Sequence, residues 1–193
     1  MPLHVQRNDP YLLTSELGEY LDCGLHYKFS HIDKLQPEIT YDQEVFEEAF
    51  KLTLYRFYET RRDNMTWSDS DTREWFERMW QTALNSRAVV RYREGWNYTS
   101  NIKRGVDIVS AYIRQLPNVH LNVVNTDYPF TLELKELPAP VFGTIDLIEE
   151  NEAGALILTE FMTSARQYSL EQMNRHIQLG LLCLCSRLKE FRH

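Results

Sequence analysis

An α/β (α+β) fold, helical in its first half and built on a sheet after that, is predicted by three features of the sequence. Apolar residues recur at helical spacing through residues 41–62, 71–84 and 100–113. After Pro117 the pattern becomes a two-residue alternation. A capping box, Ser169 with Gln172 three residues on, then opens a last helix. With 193 residues, 43% of them hydrophobic, the chain is long enough to bury one core. It is read as a single domain over 1–193, mainly helical over 1–116 and a sheet core with its following helix over 117–193.

Taken in order, residues 9–35 predict two short helices. Ser15 caps the first, Leu17, Tyr20 and Leu21 give it an apolar side, and Gly24 ends it before Leu25–Phe29 begins the second. In 41–62 the stripe is Val45, Phe46, Phe50, Leu52, Leu54, Phe57 and Tyr58. Asp71 is expected to cap a helix to Leu84 whose inner side is Phe76, Met79 and Trp80. Ile102, Val106, Val109, Tyr112 and Ile113 line the next helix, which Pro117 closes. Residues 120–124 and 130–134 alternate as two strands, and 142–148 and 155–164 as a hairpin around Gly154. Leu170, Met173, Ile177, Leu181, Leu184 and Leu188 then follow in one helical pattern.

Composition narrows the function. A net charge of −7 argues against a protein that coats nucleic acid, although Arg56, Arg61, Arg62, Arg87, Arg91, Arg93, Lys103 and Arg104 could still form a local basic strip. The aromatic residues interleaved with Arg and Lys along 75–104 suit either core and rim or a surface that stacks bases. No apolar run reaches 18 residues, and Met1-Pro2-Leu3-His4 has neither a basic nor an apolar leader region, so a soluble cytoplasmic protein without membrane contact is expected. Three cysteines, Cys23, Cys183 and Cys185, form no even disulfide framework. His176 has no second histidine at metal-binding spacing. The chain has no glycine-rich phosphate loop and no nucleophile elbow.

The hairpin holds the anomaly. Asp146 and Glu160 each occupy a position where a strand would favour an apolar residue. A turn centred on Ala153 sets them opposite each other on one face, about 4.5–5.5 Å apart at Cβ. A register slipped by one residue would instead leave one of them at an exposed edge. Facing carboxylates repel, so the paired register needs a cation or a proton between them. Magnesium, a hard ion that takes carboxylate oxygens and retains water, suits that place.

Gly143-Thr144-Ile145-Asp146, then Thr159-Glu160-Phe161-Met162, then Gln178-Leu179, together with Cys23 through Leu35, resemble the PD-(D/E)XK nuclease superfamily, and within it the RecB-like branch that includes CRISPR-associated and phage exonucleases. The resemblance implies a restriction-endonuclease-like core with a central mixed sheet flanked by helices, and Mg²⁺- or Mn²⁺-dependent hydrolysis of DNA. It implies Asp146, Glu160 and the carbonyl of Phe161 as metal ligands, with Asp127 either a third acid or simply a turn aspartate beside Tyr128-Pro129, and Gln178 as a residue that helps hold water or substrate.

The chain departs from the family at Met162, where the family has the lysine that orients the attacking water. Methionine offers no proton and no charge. Loss of one such contact costs roughly 100- to 1,000-fold in rate. The expected function is therefore a nuclease with weakened or lost activity, or a non-catalytic DNA-binding or scaffolding module on the same fold. Arg166 or Arg175 is the candidate to supply the missing charge and to contact nucleic acid.

Phe46 stands where family members carry a metal-reaching histidine, so it takes no metal role. The adjacent Glu47 and Glu48 are expected to be exposed helix charges. Cys-x-Cys on a helix points its thiols apart, which argues against the iron–sulfur cluster of some relatives and for a packed Cys23. The family's last strand is not expected before His193: it is missing, replaced by another element, or part of a longer chain. An open sheet edge there would invite a homodimer or a protein partner.

Overall fold

In the computed structural model, which describes residues 11–188 apart from 36, 86, 88, 117–120, 136, 138 and 165, the 41–62 stripe forms the longest helix. Pro117, residue 120, His193 and the Met1–His4 segment named above lie outside the described residues. Two compact units form: residues 37–127 with 146–163, and residues 1–36 with 128–145 and 164–193.

The first of these units is organised around helix α3 (Asp42–Arg62), which packs against α4 (Asp69–Asn85) and α5 (Tyr98–Gln115). Val45, Phe46, Phe50, Leu54, Phe57 and Tyr58 from α3 meet Phe76 and Trp80 from α4 and Ile102 and Val109 from α5 in one buried cluster. Phe46 is core, as its lack of donor atoms requires. Gly105 lets α5 approach α4, because a Cβ there would lie 1.9 Å from Cζ of Phe76. At the start of α3 the buried carboxylate of Asp42 accepts from Arg93 Nε at 3.1 Å and Asn101 Nδ2 at 3.0 Å. Short strands β2 (Thr40–Tyr41) and β3 (Val90–Arg91) pair in parallel beside it. Ser68, not Asp71, precedes α4; its backbone N–H donates to Asp71 Oδ2 at 2.7 Å, since a carboxylate at the third helical position reaches back to free donors.

The long strand β4 (Asn122–Leu132) replaces the two strands expected at 120–124 and 130–134. The chain does not turn away at Asp127-Tyr128-Pro129; it absorbs the irregularity locally, with Asp127 at φ 48°, a left-handed conformation that aspartate tolerates. β5 (Val141–Glu150) and β6 (Leu156–Thr159) form the hairpin, with antiparallel pairs Leu147↔Thr159 through Glu150↔Leu156. Asn151 Oδ1 accepts from the N–H groups of Ala153 and Ala155, and Gly154 takes φ 77°, so the turn needs both residue types.

In the other unit β1 (Leu12–Leu13) runs parallel to the first residues of β5, giving, with β4 and β6, a four-stranded mixed sheet. Helices α1 (Thr14–Asp22) and α2 (Gly24–Tyr27) follow, then a π-helical turn at Lys28–Ile32. Cys23, expected to be packed, is exposed: it sits in extended conformation between two helices, where neither buries it. The final helical pattern is two helices, α6 (Leu170–Arg175), capped by Ser169, and α7 (Ile177–Leu188). His176 between them is extended at φ −72°, ψ 113°, which breaks the single helix expected. On α7 Cys183 is exposed and Cys185 buried, as two-residue spacing on a helix dictates. Among the described residues no helix is long and apolar enough to cross a membrane.

Candidate active site

The β5–β6 ladder sets the partner of Asp146: one step beyond Leu147↔Thr159 lie Asp146 and Glu160. The register is therefore the paired one, not the slipped one. Both side chains are buried, Asp146 2% and Glu160 1% exposed. Between them stands Lys51 of α3, its Nζ 3.0 Å from Asp146 Oδ2 and 3.0 Å from Glu160 Oε1. Facing carboxylates need a cation, and in this chain an ammonium supplies it.

The rest of the Asp146 carboxylate is also held. The backbone N–H of Phe161 donates to Oδ2 at 2.7 Å, and the Tyr55 hydroxyl donates to Oδ1. Phe161 is itself fixed by stacking on Tyr58, at 5.9 Å between ring centroids, while the hydroxyls of Tyr58 and Tyr112 meet at 2.6 Å. Lys51, Tyr55 and Tyr58 recur at i, i+4 and i+7, so one side of α3 presents an ammonium and two phenols to the hairpin.

The electrostatics follow from this packing. Burial pushes the Glu160 carboxyl up, the Lys51 charge opposes that and Asp146 adds to it, leaving the group at about 7. Burial would lower the Lys51 ammonium, but Asp146 and Glu160 outweigh burial and raise it. Burial and the neighbouring Asp146 charge raise the Tyr55 phenol, so it stays a donor. Asp127 is raised by burial and then by the charge of Asp146, which places it within electrostatic reach of the pair.

Among the described residues no three His, Cys, Asp or Glu side chains surround a single point. Two facing carboxylates are nevertheless hard oxygen donors, and Mg²⁺ is commonly held by one or two carboxylates with water completing its shell. The donor chemistry fits such an ion, in competition with Lys51. A model of the PD-(D/E)XK nuclease superfamily matches residues 14–191. The chain belongs to the PD-(D/E)XK nuclease superfamily. No individual curated protein matches it.

Seen as a PD-(D/E)XK chain, the hairpin explains its own motif. Gly143 is required because a Cβ would lie 2.6 Å from Cγ2 of Thr14 and 2.8 Å from Cζ of Phe130. Three residues later the strand delivers Asp146. Met162 is half-buried, on the stretch after β6. Gln178 lies in α7, Arg175 is the last residue of α6 and Arg166 precedes that helix, all three in the unit that does not contain the two carboxylates. Arg175 is exposed and paired with Glu171 at 2.9 Å. Glu48 pairs with Arg87 at 2.7 Å, and Glu47 is exposed. Sequence reasoning missed Lys51 and Tyr55. The available signal was a lone lysine inside the apolar run Ala49 to Leu54, followed by tyrosines at one and two helical turns.

Superfamily membership carries a nuclease-like function, nucleic-acid contact and general use of divalent metals such as Mg²⁺.

Proposed function

We propose that this chain is a Mg²⁺- or Mn²⁺-dependent DNA phosphodiesterase of the RecB-like branch, in which Lys51 on α3 provides the cation absent at Met162. The observation that supports it is the Lys51 ammonium lying 3.0 Å from both hairpin carboxylates, Asp146 and Glu160. The segment from Cys23 to Leu35 supports the branch, and three cysteines held in no disulfide suit a reducing cytoplasm.

Asp146, Glu160 and the carbonyl of Phe161 are assigned as metal ligands, with Asp127 as an outer acid. A bound metal ion supplies Lewis-acid polarisation of the phosphate and a more acidic water. The residues of the chain do the positioning. Phe161 N–H and the Tyr55 hydroxyl lock the Asp146 carboxylate in one orientation. Lys51 stays protonated, so it acts as a charge and proton donor toward a phosphate oxygen, not as a base. Gln178, Arg166 and Arg175 are assigned to water and substrate contacts.

A second reading draws on the same triad. An ammonium between two buried acids is a complete ion-pair cluster without metal, which suits a non-catalytic module on a nuclease fold. Cleavage of labelled single- and double-stranded DNA with Mg²⁺ separates the two. Activity in the wild type that Asp146→Ala removes supports the enzyme. Activity seen only in Met162→Lys supports the binding module, and no activity in either form rejects the phosphodiesterase.

A further inference from the structure

Outside the carboxylate site, the unit containing α3, α4 and α5 holds a second feature that its fold does not need. The turn Arg93–Trp96, closed by the Trp96 N–H donating to the Arg93 carbonyl at 3.0 Å and shaped by Gly95 at φ 77°, lifts the half-buried Trp96 to the start of α5. Two guanidinium groups lie over its ring, Arg93 at 4.8 Å and Arg104 at 5.2 Å from the centroid. Arg93 is anchored to the buried Asp42 carboxylate, so one side of this stack is rigid. Arg104 and its neighbour Lys103 are exposed and make no ion pair among the described residues. An open cleft of about 500 Å³ runs along Trp96, Ser100, Lys103 and Arg104.

We infer that this cleft is a binding site for single-stranded nucleic acid, in which an unstacked base lies against the Trp96–Arg104 pair and Lys103 and Arg104 take the adjacent phosphates. A flat aromatic and guanidinium surface accepts the face of any base, but only one freed from a duplex stack. The first turn of α5 adds its positive dipole end beside the two cations. Asp107 lines the same cleft, one turn beyond Lys103. Its carboxylate leaves a local excess of a single charge and keeps the site from gripping phosphate without a base. Against an overall charge of −7, a local pair of cations is what draws a phosphate to this surface.

This inference rests on the nucleic-acid reading above, and its test is kept separate from cleavage by removing metal. Fluorescence anisotropy with the full chain in EDTA is measured on a labelled oligo-dT strand and on the same strand in a duplex. The wild type is expected to bind the single strand more tightly. Trp96→Ala should weaken that binding about tenfold, with Trp96→Phe retaining most of it. Lys103→Gln/Arg104→Gln should lower the slope of log affinity against log salt by about 1.4. The duplex should respond little to Trp96→Ala. If the Trp96 and Lys103/Arg104 variants bind the single strand as the wild type does while Asp146-dependent cleavage persists, this site is refuted and the phosphodiesterase stands. If neither probe binds and nothing is cleaved, both are refuted.

Discussion

Replacing Lys51 by methionine tests the reading of the carboxylate site most directly. The substitution keeps the length and apolar body of the side chain while deleting the ammonium that lies 3.0 Å from Asp146 and from Glu160. Two buried carboxylates are then left facing each other. Breaking a buried ion pair costs about 3–5 kcal/mol. The Lys51 side chain is 25% exposed, so solvent screens part of its charge, and about 2–3 kcal/mol is expected.

Urea unfolding at pH 8 in EDTA measures that loss. It should shrink at pH 6, where Glu160, already raised to about 7 with the lysine present, carries a proton. Mg²⁺ should stabilise Lys51→Met more than the wild type, because the ion no longer competes with a tethered ammonium. At a hundredfold excess over Kd the gain for a bound ion is about 2.7 kcal/mol. In the presence of Mg²⁺ the same variant should lose roughly 100- to 1,000-fold in cleavage rate. A variant within about 0.5 kcal/mol of the wild type in EDTA, with an unchanged Mg²⁺ response, would show that Lys51 does not hold the pair together.

The metal-free protein should lose stability as pH rises from about 4.5 to about 7, because folded Glu160 holds its proton over a range where the unfolded residue has released it. Glu149 and Asp127, both raised by burial, contribute with the same sign, and Glu160→Gln should flatten the curve measured by chemical unfolding at several pH values. Tyr55→Phe removes a hydrogen bond to the Asp146 carboxylate and should cost about 2 kcal/mol by urea unfolding; a neutral outcome would remove Tyr55 from the site. Gly105→Ala should destabilise by about 1–3 kcal/mol despite a helix-propensity gain of up to about 1 kcal/mol, since the new methyl meets the Phe76 ring at 1.9 Å. A thermal midpoint equal to or above wild type would show that α4 and α5 can separate at no cost.

What the sequence by itself determined is whatever a periodicity or a neighbouring residue controls. The 3.6-residue stripes of α3, α4 and α5 and the β5–β6 hairpin around Gly154 follow from local spacing, which left two registers open and asked for a cation between Asp146 and Glu160 only in the paired one that the ladder adopts. The last helix was misjudged at His176 because apolar spacing continues across a break that only backbone dihedrals reveal. The two expected strands became one because Asp127 absorbs an irregularity that Tyr128-Pro129 alone would assign to a turn. The tertiary structure alone decided which cation meets the carboxylates. Lys51 and Glu160 are 109 positions apart, and no local pattern encodes a contact made only when the side of α3 bearing Lys51, Tyr55 and Tyr58 packs against the hairpin.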